Sequence, residues 1–110
     1  MKQYVIDELR PDDYRKIKEY LDANFSVDGY EGLYWLLLDE TAYADVQKDH
    51  TDCQPFYFAL ELTSRQLACE LLVRTNNQMK CKCIRYATAD QINWLVRSLD
   101  AISDRLGIVT

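Results

Sequence analysis

The chain has 110 residues, 48% of them hydrophobic and 28% charged, with a formal net charge of −5. That length bounds it to one domain, residues 1–110, with a core large enough to fold without disulfide or metal staples, and no apolar run reaches membrane-spanning length. The acidic balance argues against general nucleic-acid binding, in which neutralised phosphates supply most of the affinity. The charge is also uneven. Residues 1–54 carry 13 Asp and Glu against 6 Lys and Arg, and residues 55–110 carry 5 against 7, which is −7 and +2. The acidic half reads as a solvated surface.

In chain order, Tyr4 to Leu9 is a short strand candidate, because Tyr4-Val5-Ile6 suits a sheet and Asp7-Glu8 ends it. Pro11 suits the first turn of a helix, where its missing N–H costs nothing. Asp12 and Asp13 then sit at the positive end of the helix dipole. Tyr14, Ile17, Leu21 and Phe25 follow as one apolar stripe, with Arg15, Lys16, Lys18, Glu19 and Asp22 on the wet side.

Asp28-Gly29 and Gly32 punctuate the exit from this helix. Leu33 to Leu38 is apolar on both parities. Its length and flanking glycines predict a strand covered on both sides. Asp39 to Gln54 has no clear period, apart from a helical turn or two between Ala42 and Lys48, and it holds the only histidine, His50.

Pro55 to Ala87 reads as a three-strand meander. Phe56, Phe58, Leu60 and Leu62 make one apolar face, Leu67, Cys69, Leu71 and Val73 the next, and Met79, Cys81 and Cys83 the third. Pairing Leu62 with Leu67, Leu60 with Cys69 and Phe58 with Leu71 keeps both faces inward around a Thr63–Gln66 loop. Pairing Val73 with Cys81 and Leu71 with Cys83 leaves Asn76-Asn77-Gln78 as the second loop. Ile84 and Tyr86 fall on the wrong parity, and a bulge near Cys83 would return them to the core.

Thr88-Ala89-Asp90-Gln91 is a capping box. Behind it Ile92, Leu95, Val96, Leu99, Ile102 and Leu106 form a continuous stripe, and Gly107 suits a C-cap with positive φ. The order β-α-β-β-β-β-α groups the strands together. It predicts an α+β fold, a largely antiparallel sheet of about four to five strands with two amphipathic helices on one face.

No motif here fixes a reaction. The three glycines form no phosphate loop, and no serine sits in a nucleophile-elbow context. Adjacent carboxylates such as Asp7/Glu8, Asp12/Asp13 and Asp39/Glu40 are expected to be solubilising surface. Tyr34 and Trp35 are expected to pack between sheet and helix rather than to line a ligand pocket.

The functional expectation is therefore a small cytoplasmic, non-catalytic interaction or regulatory module, with a protein partner or self-association as a homodimer. Membrane and nucleic-acid partners are not expected. Four cysteines without a leader-like apolar stretch behind Met1-Lys2-Gln3-Tyr4 suit a reducing compartment.

The alternative is a zinc-stabilised domain. His50-x-x-Cys53 and Cys81-x-Cys83 together supply one imidazole and three thiolates, ligand types that zinc prefers. Otherwise no cofactor is expected. A third reading, a small enzyme or an anion- or nucleic-acid-binding module, uses the basic cluster Arg74, Lys80, Lys82 and Arg85 on the last hairpin, with Tyr86 free to stack. A structural role, pairing with Glu70, is the preferred reading of that cluster.

Overall fold

The helix and strand periods of the sequence take shape as a two-layer arrangement in the computed structural model, which describes residues 2–27, 31–75 and 84–108. In chain order the elements are β1 (Gln3–Ile6), α1 (Pro11–Asn24), β2 (Ser26–Val27), β3 (Leu33–Leu37) and α2 (Asp45–Asp49). There follow β4 (Phe56–Leu62), β5 (Leu67–Glu70), β6 (Leu72–Thr75), β7 (Arg85–Tyr86) and α3 (Ala89–Leu106). The sheet runs β1-β5-β4-β3-β2, with β6 also beside β4 and β7 beside β6. Every pairing is antiparallel. The class is α+β. Its strand count slightly exceeds expectation: seven segments among the described residues, six when β5 and β6 are taken as one bent strand.

β4 sits at the centre, and its alternation is clean: Phe56, Phe58, Leu60 and Leu62 are buried while Glu61 is exposed. Tyr34 and Leu36 of β3, Leu67 and Cys69 of β5, and Ile6 of β1 share that inner side through their register with β4 and β5. Ile17 and Leu21 of α1 and Leu95, Leu99 and Ile102 of α3 close the core over it. Phe58 stacks on Trp94 of α3 at 6.2 Å between ring centroids. Two side-chain hydrogen bonds tie the layers at their margins. The Tyr34 hydroxyl donates to Asp22 of α1, and the Tyr4 hydroxyl donates to Asp100 of α3 at 3.0 Å.

The first hairpin follows its expected register, Leu62 opposite Leu67 and Leu60 opposite Cys69, around the Thr63–Gln66 loop. Thr63 Oγ1 accepts from Gln66 N–H at 3.2 Å and steadies that loop. Beyond it the expected pairing of Phe58 with Leu71 fails. Tyr57 lies opposite Arg74 and Phe56 opposite Thr75, so two extra residues are taken up between Cys69 and Arg74 as a bulge. The shift is even, so Val73 still points into the core.

The second hairpin also departs from expectation. Val73 pairs with Arg85 and Leu72 with Tyr86, rather than Val73 with Cys81. Tyr86 is exposed at 47% and lies under the Lys2 ammonium, 5.3 Å from the ring centroid, not in the core. The proposed bulge at Cys83 lies outside the described residues.

Gly32 is required at the entry to β3. Its φ is +85°, and a β-carbon there would lie 2.6 Å from the Leu62 carbonyl oxygen. That closeness lets Leu62 N–H donate to the Gly32 carbonyl at 2.7 Å and start the β3–β4 ladder.

The segment without a period, 39–54, is ordered by a buried amide pair. Gln47 of α2 and Gln91 of α3 are both buried, and Gln91 Nε2 donates to Gln47 Oε1 at 2.8 Å and to the Ala42 carbonyl at 3.0 Å. Gln91 Oε1 meanwhile accepts from Thr88 N–H at 3.0 Å, and Thr88 Oγ1 accepts from Gln91 N–H at 3.2 Å, which is the expected capping box. One side chain both caps α3 and pins the 39–54 segment.

Candidate functional site

The helices cover one side of the sheet. On the other side stand the intervening residues: Leu33, Trp35 and Leu37 of β3, Tyr57, Ala59 and Glu61 of β4, Ala68 and Glu70 of β5, and Gln3 and Val5 of β1. An open antiparallel face normally carries polar side chains. This one is largely apolar. Leu37 is 53% exposed and Val5 37%, while Trp35 sits half-buried with its ring edge-on to Tyr57 at 5.9 Å.

The expectation that β3 is covered on both sides is thus corrected. Tyr34 and Leu36 face the helices and are buried, whereas Leu37 is exposed and borders a hollow of about 440 Å³ with Tyr43, Pro55 and Trp94. Tyr34 packs between sheet and helix as expected, whereas Trp35 does not.

The open face has relief. The small side chains of Ala59 and Ala68 leave a hollow of about 110 Å³ bordered by Gln3, Leu33, Glu61 and Glu70. Leu37 stands opposite Tyr57 and Leu33 opposite Glu61, so Leu37 projects at one end of the face and the hollow lies towards the other.

Of the expected basic cluster, Arg74 and Arg85 can be placed. Arg74, opposite Tyr57 on the open face, forms an ion pair with Glu70, which supports the structural reading for that residue. The pair runs along the bulged β5–β6 segment rather than across strands. Arg85 is exposed on β7. Lys80 and Lys82 lie outside the described residues.

Two of the four candidate zinc ligands can be placed. His50 ends α2, with its Nδ1 donating to the Val46 carbonyl at 2.6 Å. Cys53 is buried in the following 3-10 turn, and its carbonyl accepts from Thr75 Oγ1 at the end of β6. Cys81 and Cys83 lie outside the described residues. Among the described residues no group of three or more His, Cys, Asp and Glu side chains is arranged to hold a metal ion. Cys69 is core, as expected. Burial pushes its thiol pKa up to about 12, and the sulfhydryl donates to the Glu70 carbonyl.

The carboxylates divide in a way the sequence concealed. Asp12 is exposed, but Asp13 is fully buried, against the expectation of solubilising surface. Arg10 lies along it with Nε 3.0 Å from Oδ2 and Nη2 3.2 Å from Oδ1 and holds the carboxyl below its usual range. Asp22 is likewise held low by the Tyr34 hydroxyl and then by Lys18. Burial, and then the Asp22 carboxylate, push the Tyr34 phenol up to about 12. These groups fasten α1 to its surroundings.

No family model matches the chain, and neither a curated protein nor a solved structure is similar to it. Among the described residues no helix is long and apolar enough to cross a membrane.

Proposed function

We propose that this domain is a non-catalytic interaction module that self-associates through the open face of its sheet. The observation that carries this reading is β3. Leu33 to Leu38 is written for cover on both sides, and among the described residues one side is buried while the other is only partly so, with Leu37 exposed. Exposed apolar faces of this kind mark interaction surfaces.

A second copy suits the face for a geometric reason. A two-fold contact uses the same patch twice, so a projection and a recess at opposite ends of one face fill each other in both copies. Leu37 and the Ala59–Ala68 hollow are placed in that way. With strands of the two copies antiparallel, Glu61 at one end of each face approaches Arg74 at the other end of its partner, a complementary rim. A stable interface needs about 800 Å² per partner, roughly an eighth of the 6855 Å² accessible surface, which one broad face supplies. A cytoplasmic setting fits this reading, since Cys69 is a buried thiol.

Sedimentation velocity over a wide concentration range tests it. The native chain is expected to dimerise, and Leu37→Glu to give a folded monomer with the melting temperature of the dilute, undimerised native chain. A native chain that stays monomeric at every concentration would reject the proposal.

A specific contact keeps a second reading, the zinc-stabilised domain, in view. Metal-ligating histidines usually donate their second ring nitrogen to a carbonyl or carboxylate, as His50 Nδ1 does to Val46. Nε2 then faces the metal, with Cys53, Cys81 and Cys83 as the thiolates. Structural zinc binds tightly, so elemental analysis finding less than about a tenth of a zinc per purified chain rejects this reading.

A further inference from the structure

β1 is the last strand on its side of the sheet, and among the described residues it pairs only with β5. Leu71 N–H donates to the Lys2 carbonyl at 3.0 Å, and Gln3 lies opposite Glu70. That contact sets the alternation of the ladder: Lys2, Tyr4 and Ile6 turn their backbone groups towards the neighbouring strand. Gln3 and Val5 therefore present N–H and C=O outward. An edge of this kind is a template for another strand unless something blunts it. No proline lies in β1, and the Lys2 ammonium just before it is drawn to the Tyr86 ring.

Beside this edge runs a cleft of about 710 Å³ between β1 and the last turns of α3, ending at Ile108. Its charged lining is of one sign: Asp7 and Glu8 follow β1, and Asp100 and Asp104 stand on α3. The Tyr4 hydroxyl holds Asp100 at 3.0 Å. The C-terminus of an 18-residue helix, at Gly107, adds the negative end of its dipole to the same place.

We infer that this groove binds an extended basic peptide as an added strand on β1. The backbone of the peptide pairs with Gln3 and Val5. Its alternate side chains, lysine or arginine, point towards α3 and meet Asp100 and Asp104, while the side chains between them lie over the open sheet face beside Val5. Main-chain pairing supplies the affinity and the alternate pockets the specificity. A second copy of the chain does not fit the edge. Pairing β1 with β1 would bring two sets of these four carboxylates together, and like charges facing one another suppress such a pairing.

The site adjoins the β1 margin of the self-association face, with β5 and β4 between it and Leu37 of β3, and the experiment keeps the two apart. The probe is a fluorescein-labelled eight-residue peptide alternating Lys and Val, titrated with the full chain and followed by anisotropy. Controls are the same peptide with Glu for Lys, and one N-methylated on the residues that would pair with β1. The Lys–Val peptide is expected to bind saturably. The Glu–Val peptide should not bind, and the N-methylated one should bind at least about tenfold more weakly, the order expected for lost backbone hydrogen bonds.

Two variants localise the contact. Val5→Pro removes an outward N–H and leaves the β5 ladder intact, since proline is tolerated on an edge strand. Asp104→Lys reverses one charge on α3. Each is expected to weaken the Lys–Val peptide about tenfold or more while Leu37→Glu leaves it unchanged. Absence of saturable binding to the folded chain overturns the inference. So does equal binding of the N-methylated peptide, which means electrostatic adhesion without strand pairing and can be read even if Val5→Pro fails to fold.

Discussion

The two sides of this sheet are made by alternate residues of the same strands, yet they are built to different rules. On the inner side Phe56, Phe58, Leu60, Tyr34 and Cys69 are all within 1% of complete burial, and both long helices are spent covering them. On the outer side the neighbours of those residues, Tyr57, Ala59 and Trp35, are equally apolar but only partly buried, and Leu37 is exposed. Had the outer side been polar, β3 would alternate as β4 does at Glu61. The contrast separates two uses of apolar surface: the inner side specifies the fold, and the outer side is the one we propose for self-association.

Substitutions on the inner side should therefore be costly, and they rank by what they leave behind. Leu99 of α3 is 1% exposed, so Leu99→Ala should lower unfolding free energy by ~2–5 kcal/mol in chemical denaturation. A value near zero would mean that α3 is not docked on the sheet.

High pH is the next test. The Tyr34 phenol is raised to about 12 from 10.0 and the Cys69 thiol to about 12 from 9.0, so both hold their protons longer folded than unfolded. A raised folded value gives stability that is present below the unfolded pKa and lost as pH climbs to the folded one. Urea midpoints should fall steeply between pH 9 and 12. In Tyr34→Phe, part of that fall should disappear.

Gln91→Ala breaks the amide pair that fixes 39–54, removing the donor to the Ala42 carbonyl and one of the two to Gln47 Oε1, at ~1–3 kcal/mol. Protection of the Ala42–Lys48 amides from hydrogen exchange should drop with it. Thr88→Ala removes the cap alone and should cost ~1 kcal/mol by the same denaturation measurement. On the outer side, by contrast, Leu37→Ser should change monomer stability by no more than ~0.5 kcal/mol, because its side chain is already half in water.

What the sequence revealed follows from which signals are local. Apolar stripes and the Thr88–Gln91 box located both long helices, and alternation gave the inner faces of β4 and β5. Register was legible only up to an even shift. The Phe58–Leu71 and Val73–Cys81 pairings miss by two and four residues in partner sum, and an even slip keeps every side chain on its face, so periodicity alone could not reject them. Buried polar groups were hidden for a different reason. Gln47 and Gln91 look like surface residues until each other's amides arrive through tertiary structure, and Asp13 until the local fork of Arg10 at the start of α1 closes over it. The open face did leave a trace, the two-parity run Leu33 to Leu38. Its composition told that both sides want cover but not what supplies it.

The most direct test of the open face uses its own tryptophan. In a Trp94→Phe background, Trp35 is the only indole, and its quenching by acrylamide reports access to that side of the sheet. The account predicts that quenching falls and emission moves to the blue as protein concentration rises, and that adding Leu37→Glu abolishes both changes. Quenching that stays constant from dilute to concentrated solution, equal with and without Leu37→Glu, would contradict it.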